Sequence, residues 1–256
     1  MDVAKVHDEI IQYIKDFYKD KIPENVVIGI SGGKDSTICA KLLAEALGPE
    51  NVYGVMMPNG KQSDIQDSKD VIEMLGIKSL TVNIGGAFMS ISEALEMTLG
   101  LKNGFGDLKP SYMTNTPARL RMVTLYGIAA QVGAFVVNTC NLSESVVGWE
   151  TYGGDGFGDF SPLGRLTVSE VLELGDYMGI PERFVHKAPS DGMCGATDED
   201  KLGFTYAELD ATIRDGVVGE HFEKICLMNK ASHFKHENIH IPTYDPGFHI
   251  NSVFNW

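Results

Sequence analysis

Hydrophobic positions along the chain alternate between two spacings. Val3, Val6, Ile10, Ile14 and Phe17 recur at helical intervals, which predicts an amphipathic first helix ending before Pro23. Val26 to Ile30 is a short apolar run of the buried-strand type. Glycines follow, then a helix from Asp35 to Leu47 that Gly48-Pro49 stops. Val52 to Met57 reads as a second strand and Leu80 to Ile84 as a third. Between them Ser63 and Gln66 make the capping box of a helix reaching Leu75-Gly76. Ile91 to Leu99 continues as helix, a polar stretch from Gly100 to Met113 breaks the rhythm, and a long helix runs from Thr116 to Val132. Ala134 to Val137 is the fourth strand. Gly148 to Gly158 is rich in glycine and is expected to be a mobile loop. Thr167 with Glu170, and Thr205 with Glu208, cap two further helices, while the tail from His233 onward follows no clear period.

Strands separated by helices predict an α/β fold: a parallel sheet covered by helices on both faces, read as one continuous domain over residues 1–256. In such sheets ligands bind beyond the carboxyl ends of the strands, which singles out Ser31 to Ser36.

Composition narrows the class. Apolar residues at 43% and charged residues at 22% are ordinary for a soluble globular protein. No apolar run approaches the roughly 18 residues of a membrane span. Met1 to Ile10 carries Asp2, Asp8 and Glu9 and lacks the features of a signal peptide, so a cytoplasmic protein with no membrane partner is expected. Acidic residues outnumber basic ones 35 to 21, a net charge of −14, and no basic stripe marks a nucleic-acid surface. A small anionic ligand remains compatible, since backbone amides and a few cations suffice to bind phosphate. The scattered Cys39, Cys140, Cys194 and Cys226 form no C-x-x-C pair and read as free thiols.

Gly29-Ile30-Ser31-Gly32-Gly33-Lys34-Asp35-Ser36 lies between a strand and a helix. Adjacent glycines let amides converge on an anion, the helix N-terminus adds its dipole, and Ser31 and Ser36 supply hydroxyl donors. The bland alternative is a tight strand-to-helix turn. A Walker loop is excluded, because only three residues separate Gly29 from Gly33-Lys34 and Asp35 stands in the Ser/Thr place. The G-x-G-x-x-G fingerprint fails because Ser31 replaces its second glycine. An acidic residue in a phosphate cradle suits a Mg²⁺ ligand, which makes Asp35 a candidate; it also suits the helix dipole alone.

The remaining pattern, S-G-G-x-D-S, resembles the loop of the ATP pyrophosphatases (the PP-loop superfamily), enzymes that cleave ATP between its α and β phosphates. Further segments resemble the ammonia-dependent NAD synthetase family. Asn115 to Met122 is similar to its N-x-x-A-R-x-R-M helix start, and Val137 to Glu144 to its strand ending G-T-x-N-x-S-E. Gly154-Asp155-Gly156, Asp159, Ser161-Pro162-Leu163 and Leu166-Thr167 are similar to its G-D-G-G loop and proline segment. Pro189-Ser190-Asp191-Gly192 with Thr197-Asp198-Glu199 and Leu202-Gly203 are similar to its P-[ST]-A-x-L…T-D-E-x-x-L-G stretch. The resemblance spans residues 25 to 215 and implies an adenine nucleotide alpha hydrolase-like (Rossmann-like) fold.

It implies roles too. ATP, a substrate, would meet Gly29, Ser31, Gly32, Gly33, Lys34, Asp35, Ser36, Thr139 and Ser190. Asp35 and Glu144 would hold Mg²⁺ and serve catalysis. Arg119, Tyr152, Asp159 and the pair Lys235-His236 would face deamido-NAD, and free ammonia would supply nitrogen, since no glutaminase segment is visible. A homodimer is also implied. On the residues alone Arg119 fits a structural ion pair as well, Glu144 a first-turn helix acid, and Ser190 ordinary turn chemistry. Two family lysines, one contacting the dinucleotide and one the ATP phosphates, fall on Tyr152 and Val168; Lys34, Arg165 or Lys187 would have to replace their charge. Phe157 replaces a glycine of G-D-G-G. Rival readings are another amide- or sulfur-transferring enzyme on the same loop, and a nucleotide-binding regulator that has lost catalysis.

Overall fold

The computed structural model describes residues 1–62, 65–101, 103–187, 197–237 and 240–254. In chain order its elements are α1 (Val3–Tyr18), β1 (Asn25–Gly29), α2 (Lys34–Leu47), β2 (Val52–Met56), α3 (Ile65–Leu75), β3 (Lys78–Thr81), α4 (Gly85–Leu99) and α5 (Pro110–Val132). They continue with β4 (Ala134–Val136), α6 (Leu142–Val147), α7 (Val168–Tyr177), α8 (Glu182–Val185), α9 (Asp198–Leu202), α10 (Tyr206–Asp215) and α11 (Phe222–Ser232).

The four strands are parallel in the order β3-β2-β1-β4. Val26, Val27 and Ile28 of β1 are all buried. Val26 and Ile28 join a core built with α1, α2 and α7, whereas Val27 joins Met122, Leu125 and Ala129 of α5 on the other face. Burial on both faces is why β1 is an unbroken apolar run rather than an alternating one. A second core links α6, α7, α10 and α11 through Leu142, Val146, Val168, Leu209 and Ile225.

The chain winds outward from β1 to β3 and then returns to lay β4 beside β1. The loops leaving β1 and β4 therefore diverge at their carboxyl ends, a topological switch point that opens a crevice. Beyond β4, Val137 bridges Phe160 and Ser161 bridges Thr243, both in parallel, so short later segments extend this edge.

Two boundaries depart from the periodicity. The third strand is Lys78–Thr81, but pairing continues past it, with Val82 N–H donating to Met56 and Ile84 N–H to Pro58. The fifth helix starts at Pro110 rather than Thr116; Pro110 takes the tolerated first-turn position, and Pro117 lies inside the helix without its backbone bond. The Thr167–Glu170 pair forms a reciprocal capping box. Thr205 caps α10 but Glu208 turns instead to His221. The proposed cap at Ser63 lies outside the described residues. The glycine-rich stretch expected to be mobile is a set of turns held by many hydrogen bonds, described below.

Candidate functional site

The loop after β1 forms around its own hydroxyls. Ile30 N–H donates to Val55 of β2 at 2.9 Å, which fixes where the chain leaves the sheet. Ser31 and Ser36 hydroxyls lie 3.0 Å apart, Gly33 N–H donates to Ser31 Oγ, and Ser36 and Thr37 hydroxyls donate to Gly33 O. Gly32 has φ of +77°, and a Cβ there would lie 2.7 Å from Cβ of Asp67, so glycine is required twice over. No side chain caps α2, which leaves its first-turn amides available to an anion at the switch point.

Charge concentrates beside this loop. Lys34 is only 6% exposed and its ammonium lies 2.7 Å from Asp35. Burial lowers its pKa, but the charges of Asp35, Glu144 and Asp198 outweigh that, and the net shift is upward. Across the crevice, Asn141 is buried and bridges both halves. Its side-chain amide donates to Asp35 at 3.0 Å, its side-chain oxygen accepts from Glu144 N–H, and its own N–H donates to the Glu144 carboxylate. Burial and the neighbouring Asp35 push Glu144 up to about 8, with Lys34 pulling the other way. Lys34 thus pairs with Asp35 while its charge also reaches Glu144. Thr139, at the end of β4, makes no hydrogen bond among the described residues. Ser190 lies outside the described residues.

The other expected residues are placed differently. Arg119 of α5 donates from Nε to Tyr152 O at 3.1 Å. The Tyr152 ring meets Phe157 edge-on and Phe234 at a tilt. Lys235 Nζ donates to the carbonyls of Gly148 and Glu150, and His236 Nε2 lies 3.1 Å from both Ser145 O and the Glu150 carboxylate. Burial lowers the pKa of His236, but the hydrogen bond and charge of Glu150 reverse this and leave it raised. Asp159 sits apart, accepting from Val136 N–H at 2.7 Å and from the Tyr126 hydroxyl. So the structure brings Ser31, Lys34, Asp35, Ser36 and Glu144 together, while Arg119 and Tyr152 form one contact and Lys235 and His236 another.

Of the cations that were to offset Tyr152 and Val168, Lys34 is in the site. Lys187 pairs with Asp67 at 2.5 Å, beside Gly32, and Arg165 pairs with Asp245 in the C-terminal segment. Val168 is buried in the second core, where its N–H donates to Ser143 Oγ. Cys39, Cys140 and Cys226 are free thiols; Cys194 lies outside the described residues.

Sequence reading did not single out three residues. Asn141 was visible only as a motif letter. Asn138, buried, donates to the carbonyls of Asp155 and Phe157 and accepts from Cys140 N–H and Ser161 Oγ, so it ties the glycine-rich turns to β4. Tyr206, at the first position of α10, carries its ring 5.8 Å from the Lys34 ammonium. No local signal marks either of the last two. Among the described residues no group of three or more His, Cys, Asp or Glu side chains forms a self-sufficient metal site, and no helix is long and apolar enough to cross a membrane.

A family model described as NAD synthase matches residues 6–239. The NH(3)-dependent NAD(+) synthetase of Pyrococcus horikoshii is 42% identical over 205 residues, 80% of this chain and 76% of that one. Among solved structures, the NMN synthetase of Francisella tularensis superposes with a TM-score of 0.83 at 33% identity, covering 95% of this chain and 100% of that one. The NH3-dependent NAD synthetase of Campylobacter jejuni gives 0.73 at 26% identity, covering 94% and 99%.

Proposed function

The chain belongs to the NAD synthase family, and from that premise we propose that it is an ammonia-dependent ligase forming NAD, AMP and pyrophosphate from deamido-NAD, ATP and ammonia. The observation that carries the reading is the switch-point crevice, where an uncapped helix N-terminus faces two carboxylates joined through one asparagine.

The nicotinate carboxylate attacks the α-phosphorus of ATP. The bond from that phosphorus to the bridging oxygen breaks, pyrophosphate departs, and an acyl adenylate remains. Ammonia adds to the acyl carbon, loses a proton, and AMP leaves. Transfer at phosphorus asks chiefly for positioning and charge neutralisation. The amides at the start of α2, the hydroxyls of Ser31, Ser36 and Thr139, and the Lys34 ammonium would bind the phosphates, with Ser190 as a further contact. Asp35 and Glu144 offer two hard oxygen donors, few enough that phosphate oxygens must complete the set, as Mg²⁺ sites in nucleotide enzymes require. The upward shift of Glu144 fits the same reading, since a cation would relieve the crowding of two carboxylates around one ammonium. Mg²⁺, when bound there, supplies charge neutralisation of the phosphates.

Arg119, Tyr152, Asp159, Lys235 and His236 stand as the proposed deamido-NAD side of the site. The reading includes a homodimer, supported by the exposed apolar side chains Met97, Leu99 and Val123 of α4 and α5, and a cytoplasmic location with no nucleic-acid partner.

The test is to incubate the protein with ATP, Mg²⁺, deamido-NAD and ammonium and to quantify products. Equal yields of NAD, AMP and pyrophosphate are expected; ATP binding without NAD formation would overturn the reading. One observation favours a second substrate. The Francisella NMN synthetase superposes at 0.83, against 0.73 for the Campylobacter enzyme. The same assay with nicotinate mononucleotide decides it: faster amidation of the mononucleotide would move the assignment there.

A further inference from the structure

Among the described residues, three buried side-chain polar atoms have no hydrogen-bond partner: Oε1 of Glu96, Nδ1 of His233 and the hydroxyl of Tyr206. Only the last belongs to a residue packed beside the phosphate loop. Tyr206 is 4% exposed. Its backbone N–H donates to Glu199 at 2.8 Å, and its ring shares the second core with Leu142, Val168 and Leu209. The ring also lies under the buried Lys34 ammonium, 5.8 Å from centroid to nitrogen. Cap, core and cation together fix where the ring stands.

Its hydroxyl is consequently held in a charged neighbourhood without reaching any member of it. Burial, then the negative charges of Glu144, Asp198, Asp35 and Glu199, hold the phenol far above its ordinary pKa, so it stays protonated and can only gain by donating. A hydroxyl buried with no acceptor has given up its water for nothing. Phenylalanine would fill the same core space without that loss. The oxygen makes no hydrogen bond in the free protein, and it lies within electrostatic reach of Glu144 and Asp35.

We propose that Tyr206 is a nucleotide-binding residue whose hydroxyl donates to a phosphate oxygen of ATP seated between the first turn of α2 and Glu144. The inference rests on the ATP reading given above and deepens it. Tyr206 completes a cradle whose other donors, Lys34 and the Ser31 and Ser36 hydroxyls, are internally paired until the phosphates arrive. It also adds a donor to a site in which Val168 stands where the family resemblance implies a phosphate-binding lysine.

The test compares the wild-type protein with Tyr206→Phe, which removes the oxygen and keeps the ring. Calorimetric titration with ATP and Mg²⁺ is expected to show affinity weakened roughly tenfold, one hydrogen bond to a charged group. KM for ATP rises while KM for deamido-NAD is unchanged. The ligand-free variant melts at the wild-type temperature or about 2–4 °C above it, because an unpaired buried hydroxyl is gone. Equal ATP affinity in the two proteins overturns the proposal. Weaker binding accompanied by a melting point several degrees lower also overturns it, because the hydroxyl would then be structural. A wild-type protein that binds no ATP sinks the functional reading itself, and that failure is visible without the variant.

Discussion

At the switch point, the loop after β1 and the first turn of α6 keep their polar groups in a shared, incompletely satisfied network. Lys34 pairs with Asp35 and only its charge reaches Glu144, Thr139 and Tyr206 have hydroxyls to spare, and the start of α2 is uncapped. Around residues 148–160 the opposite holds. Lys235, His236, Glu150, Arg119, Asn138 and Asp159 are all engaged in bonds within the chain, most of them to backbone carbonyls or amides. The first region leaves polar groups unpaired and the second pairs them within the chain. The contrast separates groups that a ligand could meet directly from groups that would have to exchange a bond within the chain to meet one.

That contrast can be broken. Asp35→Asn removes a charge from the region that awaits a guest, and pyrophosphate release is expected to fall about 10²–10³-fold in a stopped assay. Near-normal turnover would mean the loop is not the reactive half. Asn141→Ala should come next, with activity down roughly 10–100-fold, because both carboxylates lose the group that orients them. The same change removes a helix cap from α6, lowering stability by about 1 kcal/mol.

Changes in the self-engaged region should act on stability as well as on the dinucleotide. Lys235→Met deletes the ammonium donor to Gly148 and Glu150, costing about 2–3 kcal/mol, and should make residues 148–158 open to limited proteolysis that leaves the wild type uncut. Asp159→Asn should lower stability by about 1 kcal/mol and raise KM for the dinucleotide. A lowered melting point with unchanged KM would confine Asp159 to the fold and sharpen the contrast.

The smallest effect is one of pH. His236 has a raised folded-state pKa, so its bond to the buried Glu150 stabilises fully below the ordinary histidine value. That contribution is lost as pH rises through the raised value. Melting temperature should therefore decline from mildly acid to mildly alkaline pH more steeply in the wild type than in His236→Gln. Parallel curves would show that the contact carries no charge.

Much of this was legible beforehand. The apolar runs of β1 and β2, the S-G-G-x-D-S turn and the placing of Asp35 and Glu144 at the starts of helices follow from local patterns, because parallel strands buried on both faces must be apolar and a strand-to-helix anion loop needs glycine at φ above zero. The glycine-rich stretch hid its packing, since glycines that suit mobility also suit tight packing. A Cβ on Gly158 would lie 2.6 Å from Asn138 N, and one on Gly148 would lie 2.2 Å from Cβ of Ser232, contacts that exist only once the chain has folded.

What the sequence by itself determined is the alternation of elements, the glycine-rich strand-to-helix loop and the family to which the chain belongs, all of which are written in residues close together along the chain. Only the tertiary structure decided which polar groups are free. Whether Lys235 meets a ligand or the carbonyl of Gly148, or whether Tyr206 is a core ring or a donor beside Asp35 and Glu144, depends on partners 87 residues away in one case and on the docking of α10 against α6 and α7 in the other. Hydrogen bonds and burial act over a few ångströms in space, so no pattern of neighbours in sequence carries that information.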